Sequence, residues 1–426
     1  MFLLKIDLYN LRSLKRLVWE IDDVDAYGWH VIIGDNGAGK SGLLRAIALA
    51  LVGPQEALAL RQDWNDWLRR GEAEGGIYLH LAGDPIFDRL SKRGNRPKGH
   101  LKAGIWLERT AGEPHPVTLH AWEKGDRHVW GPSWGWFSAS YGPFRRFTGG
   151  DKDLEKLFYS NPKLARHLSV FGESVALSEC LEWLIRLHYK TLEGDPEGNL
   201  LEPVKAFVNQ SGFLPHDARL ESISSKGVRF VDGNECEVPV ENLSDGYRSI
   251  LSMTFELIRQ LAATYGADVI FDPNDPTKII APGVVLIDEI DAHLHPTWQR
   301  RVGRWFREHF PQIQFIVTTH SPLICQAAKP GSVFRLPRPG SDEEAGMVTG
   351  TELDRLLYGN VLDAYGTGAF GDVATRSPEA LELLEQLAML NQKELAEGLS
   401  AKEKKKQKEL RAMLPTAASE GAEDDE

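Results

Sequence analysis

Apolar and polar positions alternate near the N-terminus, and this pattern predicts strands before the first helix. Residues 2–8 and 17–21 read as short strands, and residues 29–33 form a continuous apolar run that ends at a glycine. Between residues 41 and 52, leucine and isoleucine recur at helical spacing, which predicts a helix. A buried strand, a glycine-rich loop and a helix are therefore expected in immediate succession.

Helical and strand patterns alternate again after residue 240. The pattern predicts helices over 244–265 and 297–309, and strands over 284–287 and 314–318. Such alternation is typical of a partly parallel α/β sheet. Between about residues 150 and 235 the pattern is mainly helical, which indicates an inserted lobe.

Composition and charge narrow the class of protein. The 426 residues include 49 Lys+Arg and 61 Asp+Glu, a net charge of −12, so a general basic coat for nucleic acid is excluded while a local basic groove is not. The 3 cysteines stand alone, which is typical of a reducing compartment. No window reaches about 18 apolar residues, and the N-terminus reads as a strand instead of a signal peptide. We therefore expect a cytoplasmic protein with no membrane partner.

A phosphate-binding loop lies between the apolar run and the first helix. The segment Gly34-Asp-Asn-Gly-Ala-Gly-Lys-Ser41 fits the pattern G-x-x-x-x-G-K-[ST] in the strand–loop–helix context that this motif requires. Glycines let backbone N–H groups turn toward phosphate oxygens, and the helix dipole adds positive character. Lys40 should reach the β- and γ-phosphates, and Ser41 should supply a Mg²⁺ ligand. The predicted nucleotide contacts are Asn36, Gly37, Ala38, Gly39, Lys40 and Ser41.

Two carboxylates follow the apolar strand at 284–287. Neighbouring strand residues point to opposite faces, so Asp288 and Glu289 are able to take different roles. We expect Asp288 to support Mg²⁺ through its water shell, and Glu289 to orient and polarise the attacking water. Upstream, Leu243-Ser-Asp-Gly-Tyr247 opens a long helix, where the Ser244 hydroxyl and the Gly246 N–H would form a second anion site.

This order of motifs resembles the ATP-binding cassette (ABC) ATPases. The segments Ala292-His-Leu-His-Pro296 and Thr318-Thr-His-Ser-Pro322, together with Asn10-Leu-Arg-Ser13, are similar to those of the soluble SMC, RecF and OLD-type branch. Ser244-Asp-Gly-Tyr-Arg-Ser249 and Tyr141-Gly-Pro-Phe-Arg-Arg146 most resemble the Septu and retron-associated ATPases of anti-phage defence. The resemblance implies an α/β fold, namely an ABC/SMC-like P-loop nucleotide-binding domain with a mainly helical insertion and a helical C-terminal region.

The resemblance also implies a homodimer that binds ATP and Mg²⁺. In such ATPases Ser244 and Gly246 of one subunit would contact the γ-phosphate bound by the other, His320 would sense that phosphate, and Arg12 would contact phosphate. Two positions depart from the family pattern. No glutamine stands near residues 138–141 to supply a further Mg²⁺ ligand. In the D-loop segment 292–296, His295 occupies the position where many relatives have an aspartate.

The motifs also suggest how the chain is divided. The predicted segments are 1–150 (first ATPase lobe, with the phosphate loop), 151–235 (mainly helical inserted lobe), 236–350 (second ATPase lobe), 351–415 (helical C-terminal region) and 416–426 (an acidic, disordered tail). Past His320 the sequence lacks the strand-borne acidic pattern of an OLD-type nuclease domain, so we expect a separate nuclease partner, of HNH type.

The leading hypothesis is a Mg²⁺-dependent ATPase that controls a nuclease in anti-phage defence, with retron reverse transcriptase and its DNA product as further candidate contacts. A DNA-repair or chromosome-maintenance ATPase that binds DNA directly is the alternative, and a transporter ATPase subunit is disfavoured. Arg145 and Arg146 would either bind nucleic acid or communicate with a partner. Six basic residues with no acid among them are either the best candidate for a contact with a nucleic-acid phosphate backbone or a solvated loop: Arg89, Lys92, Arg93, Arg96, Lys98 and Lys102.

Overall fold

The computed structural model describes residues 1–90, 94–110, 116–123, 125–131, 134–145, 147, 160–172, 179–370 and 377–414. Its strands are β1 (Phe2–Leu11), β2 (Leu14–Glu20), β3 (Gly28–Ile33), β4 (Glu74–Ala82), β5 (Leu101–Arg109), β6 (Val117–Glu123), β7 (Ser138–Tyr141), β8 (Arg219–Ser224), β9 (Gly227–Val231), β10 (Glu237–Pro239), β11 (Gly283–Ile287), β12 (Ile313–Thr318), β13 (Gly331–Arg335) and β14 (Gly346–Met347).

The helices alternate with these strands in the second half of the chain. They are α1 (Lys40–Val52), α2 (Pro54–Ala57), α3 (Pro162–Ala165), α4 (Leu168–Phe171), α5 (Glu179–Glu193), α6 (Leu201–Val208), α7 (Asp245–Tyr265), α8 (Ala267–Ile270), α9 (Pro296–His309), α10 (Pro322–Cys325), α11 (Gly350–Tyr358), α12 (Val361–Tyr365), α13 (Pro378–Ala396) and α14 (Ala401–Met413).

A six-stranded sheet in the order β14-β13-β3-β12-β11-β7 positions the site. Its five longer strands run parallel, and only β14 pairs antiparallel, with β13. Every residue of β3, β11 and β12 is buried, as expected for parallel strands covered on both faces. The α/β class that the sequence predicts, with a glycine-rich loop between a buried parallel strand and a helix, is confirmed.

A second, antiparallel sheet in the order β2-β1-β4-β5-β6 covers α1. Its strands alternate buried and more exposed residues, and the buried face shares one hydrophobic core with α1. Helix α1 also contacts β7 and β11 of the parallel sheet. The first helix is therefore held between two sheets, which fixes the position of Lys40 at its N-terminus.

The other face of the parallel sheet packs against α5, α6, α7 and α9 in a second hydrophobic core. The inserted segment contributes α5 and α6, as its helical pattern predicts, and also the hairpin β8–β9, which pairs with β10 and which the pattern did not predict. The proposed segment boundaries stay predictions.

Two compact units, residues 1–370 and 371–426, divide the chain. In the second unit, α13 and α14 pack through Leu387, Leu410 and Leu414. Ser377 and Ser400 cap the two helices with their hydroxyl groups. The predicted acidic tail lies outside the described residues.

Candidate nucleotide site

The ends of four neighbouring strands bring the predicted site residues to one edge of the parallel sheet. The glycine-rich loop follows β3, the segment Thr319–His320 follows β12, Asp288 and Glu289 follow β11, and Arg145 lies four residues after β7. Ligands of open α/β sheets bind at the carboxyl ends of the strands, so this edge is where a ligand is expected.

A cleft of about 270 Å³ opens at this edge. It is lined by Arg12, Ser13, Asn36, Gly37, Gly39, Lys40, Ser41, Gly42, Glu289 and His320. Most of the residues predicted to act on the nucleotide therefore share one cleft. Ala38 and Asp288 are buried instead, at 5% and 1% exposure. Ser244 and Gly246 lie elsewhere.

The Lys40 side chain folds back onto the glycine-rich loop. Its Nζ donates hydrogen bonds to the carbonyl oxygens of Gly34 (2.7 Å) and Asp35 (3.1 Å). Burial lowers the pKa of Lys40, and the nearby carboxylates of Glu289 and Asp288 act in the opposite direction. The ammonium group lies in a partly desolvated position, where a phosphate would be a strong additional partner.

Gly39, the residue before α1, is a position where only glycine fits. Its φ of +101° is in the left-handed region, and an added Cβ would lie 2.7 Å from Ser13 Oγ and 3.1 Å from Leu14 Cδ2. The loop therefore passes close to the β1–β2 turn while its backbone opens toward the cleft. Such loops expose N–H groups at a helix N-terminus, the arrangement that binds phosphate.

Thr318, the last residue of β12, organises both acids. Its Oγ1 donates to Asp288 Oδ1 at 2.6 Å and accepts the Glu289 N–H at 2.8 Å. Glu289 has a φ of +47°, uncommon for a residue other than glycine. The backbone of Glu289 therefore adopts an unusual conformation at the point where its side chain enters the cleft.

Arg145 supports the same segment from the opposite side. Its guanidinium is 3% exposed and donates to the carbonyl oxygens of Gly142, Asp288, Glu289 and Ile290 and to Ser249 Oγ. Burial lowers the pKa of Arg145 to about 10, so it stays protonated at neutral pH. This burial leaves Arg145 no surface for nucleic acid. Arg146 lies outside the described residues.

His320 and Arg12 enter the cleft from its rim. His320 is exposed, and the preceding Thr319 donates to Asp291 Oδ1 at 2.6 Å, which ties the β12 end to the segment after Glu289. The Arg12 guanidinium lies 4.2 Å from the centroid of the Trp67 ring. Burial lowers the pKa of Arg12, and within the described residues its Nε is buried without a hydrogen-bond partner.

A second cleft, of about 640 Å³, lies at the N-terminus of α7. Ser244 occupies the N-cap position, is exposed, and makes no capping hydrogen bond with its side chain. Gly246 packs so closely on the segment after β11 that an added Cβ would lie 2.8 Å from His293 O. His216, Tyr247, His295 and Trp298 are among the further lining residues. Among the described residues, the two clefts share no lining residue.

Donor atoms of Ser41, which lines the first cleft, and of the buried Asp288, which precedes Glu289, fit Mg²⁺. A hydroxyl (Ser41) and a carboxylate (Asp288) are hard oxygen ligands, and Mg²⁺ commonly takes one or two such protein ligands together with phosphate and water. In the described part of the chain, no group of three or more His, Cys, Asp or Glu side chains has a metal-binding arrangement. Two protein oxygen donors would leave the other Mg²⁺ positions to phosphate and water.

Sequence reasoning missed three contributors to this site. The motif at residues 141–146 does not predict a buried support role for Arg145, Thr318 stands in its motif only as a neighbour of His320, and no sequence pattern marks Trp67. The pairing of Arg145 with residues more than 100 positions away leaves no local signal. For Thr318 a signal exists in the sequence, because a threonine that ends one buried strand is able to bond to the acids that follow the neighbouring strand.

The chain is similar in sequence to known ATPases. Residues 154–326 match the family model described as "AAA domain, putative AbiEii toxin, Type IV TA system". The chain is 26% identical over 339 residues to the Septu protein PtuA of Bacillus mycoides, covering 78% of this chain and 40% of that protein. It is 35% identical over 134 residues to the Retron Ec83 probable ATPase of Escherichia coli, covering 30% and 23% respectively.

The chain thus spans less than half of the length of these two relatives. Among solved structures, the SmcHead bound to the C-winged helix domain of ScpA aligns with a TM-score of 0.45 and 17% identity, covering 83% of this chain and 99% of that one. The resemblance to the Septu and retron-associated ATPases, inferred from the motifs, is confirmed.

No single helix of the described residues is both long and apolar enough to cross a bilayer, although residues 40–52 and 54–60 would satisfy the criterion together across a bend of 117°.

Proposed function

We propose that this chain, an ABC/SMC-like ATPase related to the Septu and retron ATPases, hydrolyses ATP in a site shared between two copies. The observation that carries the proposal is the separation of the two clefts. The phosphate loop and Glu289 line one, whereas Ser244 and Gly246 line the other. A second copy of the chain would bring its α7 cleft over the nucleotide held by the first.

In the first cleft, the loop from Asn36 to Gly39 and the Lys40 ammonium would hold the phosphates of ATP. Ser41 and Asp288 would hold Mg²⁺, which when bound neutralises charge that develops on the transferred phosphoryl group. Glu289 would accept a proton from the attacking water as a general base. His320 and Arg12 would contact phosphate from the rim, where Arg12 Nε is buried without a hydrogen-bond partner among the described residues.

In the second cleft, the exposed Ser244 hydroxyl and the backbone at Gly246 would contact the γ-phosphate bound by the other copy. The Ser244 hydroxyl makes no capping hydrogen bond to α7, which supports a contact outside the chain. The helix N-terminus favours an anion at this position. Closure would also exclude water and complete the site only when ATP is present.

Complementation between two defective variants tests the shared site. Lys40→Ala would remove the grip on the nucleotide, and Ser244→Arg would block the α7 cleft, so each variant alone should lack ATP turnover. Mixed dimers contain one intact site out of two, and half of all dimers are mixed, so a 1:1 mixture should recover roughly a quarter of wild-type turnover. Lys40→Ala mixed with a Lys40→Ala, Ser244→Arg double variant is the matched control and should stay inactive.

Two results would contradict the proposal. Turnover by Ser244→Arg alone would remove the α7 cleft from the reaction. An inactive mixture whose subunits are shown by light scattering to have exchanged would remove the sharing. Separately, Glu289→Gln should bind ATP, lose turnover and accumulate as a homodimer, and undiminished turnover would remove Glu289 from its role.

We further propose that the ATPase controls a separate nuclease subunit, of HNH type, in anti-phage defence. The relationship to proteins named for the Septu and retron systems supports this output. Affinity purification from the native host tests it: a nuclease should co-purify, and its activity should differ between wild type and Glu289→Gln. Purification without any nuclease would contradict the proposal.

A second candidate function, direct DNA binding, is favoured by the basic side chains between Arg89 and Lys102, the last of which lies in β5. Arg96, Lys98 and Lys102 are exposed, whereas Lys92 and Arg93 lie outside the described residues. Phosphate contacts of this kind would make DNA binding by the isolated chain fall steeply with salt concentration. Replacement of these three basic residues by glutamine should abolish such binding. In the retron setting, the reverse transcriptase and its DNA product are the corresponding partners, and both should then be found in the same purification.

A further inference from the structure

Arg145 is held by a complete set of hydrogen bonds. An arginine has five N–H donors, and here Nε donates to Ser249 Oγ (2.9 Å), Nη1 to the carbonyls of Gly142 (3.0 Å) and Asp288 (2.9 Å), and Nη2 to those of Glu289 (3.2 Å) and Ile290 (3.4 Å). Arg145 is buried, and the acceptors come from three separate parts of the chain. A single side chain therefore joins the β7 end, the β11 end and helix α7.

Two of these bonds help to fix the backbone of Glu289. Both peptide groups that flank its Cα are held at both ends. Arg145 binds the carbonyl oxygens of Asp288 and Glu289, while Thr318 accepts the Glu289 N–H through Oγ1 (2.8 Å) and the Ile290 N–H through its carbonyl oxygen (3.1 Å). The uncommon φ of +47° at Glu289 is thus imposed from two sides. Removing Arg145 would free half of these restraints.

The hydrogen bond from Arg145 Nε to Ser249 Oγ reaches α7, the helix whose N-terminus lies at the α7 cleft. Ser249 lies five residues after Ser244, on the first turns of α7, and is 1% exposed. A shift of this end of α7 would move Ser249 Oγ and with it the guanidinium. The geometry points to Arg145 as a positioning residue that couples the α7 cleft of a chain to Glu289 of the same chain, an inference that rests on the proposed shared site.

The consequence is communication between the two sites of a dimer. In each chain, the α7 cleft would contact one nucleotide and Glu289 would act on the other. Arg145 would therefore make hydrolysis at one site sensitive to whether α7 is engaged at the second. Lysine cannot replace it, because an ammonium group offers three donors from one point and not a planar fork of five.

Turnover per binding site separates positioning from folding. For Arg145→Lys, sites are counted by titration with a fluorescent ATP analogue, and kcat is expressed per site. We expect kcat to fall about 100-fold, as for a misplaced catalytic group, while the dissociation constant for the analogue changes less than about threefold, because Lys40 and its loop are untouched. A merely structural role would lower the number of sites and leave kcat per site unchanged.

Ser249→Ala tests the coupling with a milder change, and Ser252→Ala is its matched control. Ser252 is also fully buried on α7, but its hydroxyl donates to the Ser249 carbonyl and not to Arg145. We expect Ser249→Ala to lower kcat per site about fivefold, by loss of one buried hydrogen bond, and Ser252→Ala to stay within about twofold. The double variant with Arg145→Lys should be no worse than Arg145→Lys alone, since Ser249 acts through Arg145.

Equal kcat values for Ser249→Ala and Ser252→Ala would overturn the coupling, and this comparison decides the matter if Arg145→Lys fails to fold. An unchanged kcat per site in Arg145→Lys would overturn the positioning role. A wild-type protein without ATP turnover would instead refute the proposed function itself, so the two failures are distinguishable.

Discussion

Replacing Thr318 with valine removes one hydroxyl and almost no volume. The Thr318 side chain is fully buried, and its Oγ1 donates to the Asp288 carboxylate at 2.6 Å while accepting the Glu289 N–H at 2.8 Å. Thr318→Val therefore deprives the buried Asp288 carboxylate of a donor and the partly buried Glu289 N–H of its acceptor in one step. The packing around the side chain stays nearly the same.

The size of the effect follows from the two lost partners. A hydrogen bond to a charged group contributes about 1.5–3 kcal/mol, and a buried donor left unsatisfied costs about 1–3 kcal/mol. The extra methyl group of valine gains about 0.8 kcal/mol of apolar burial. We therefore expect the free energy of unfolding to fall by about 3 kcal/mol. ATP turnover should fall at least about tenfold, because the backbone of Glu289 loses one of its restraints.

Urea denaturation of Thr318→Val and Thr318→Ser measures the first quantity. Serine keeps the hydroxyl and loses only a buried methyl group, so it should cost about 1 kcal/mol and preserve turnover. The difference between the two variants isolates the hydroxyl. If both variants unfold at the same urea concentration and turn over ATP equally, the reasoning about Thr318 is wrong.

Two further predictions concern the loop and the interior. Gly39→Ala should weaken binding of a fluorescent ATP analogue by at least about tenfold, because its Cβ would lie 2.7 Å from Ser13 Oγ; an unchanged dissociation constant would contradict this. Burial lowers the pKa of His30 to about 4 and of His167 to about 3 from an ordinary value of 6.5. Below pH 6.5 the unfolded chain therefore binds protons that the native chain does not, so stability should fall by about 2 kcal/mol per histidine between pH 7 and pH 5. Urea denaturation at both pH values measures this loss. His167→Asn should reduce the loss of unfolding free energy between pH 7 and pH 5, and an unaltered loss would refute the prediction.

Local sequence patterns were sufficient for the parts of the site that local geometry creates. A loop that must turn its N–H groups toward phosphate needs glycine at left-handed positions, so the segment from Gly34 to Ser41 could be predicted from spacing alone. The same holds for Asp288 and Glu289, since a continuous apolar run marks a buried parallel strand whose end faces a ligand.

Contacts between distant segments could not be predicted in this way. Arg145 bonds to residues 104 and 143 positions away, and Arg12 meets Trp67 through a cation–π contact. Both depend on tertiary packing, which no local pattern encodes. The β8–β9 hairpin was missed because polar residues interrupt its alternation, as in Arg219–Ser224. The proposed pairing of Ser244 with another copy lies beyond any single chain.

A structure of Glu289→Gln with Mg²⁺ and ATP tests the shared site most directly. The distance to measure runs from Ser244 Oγ of one copy to the γ-phosphate held by Lys40 of the other. We expect a hydrogen bond of about 3 Å between them. A Ser244 that lies far from every γ-phosphate, in a complex with nucleotide bound at Lys40, would refute the shared site.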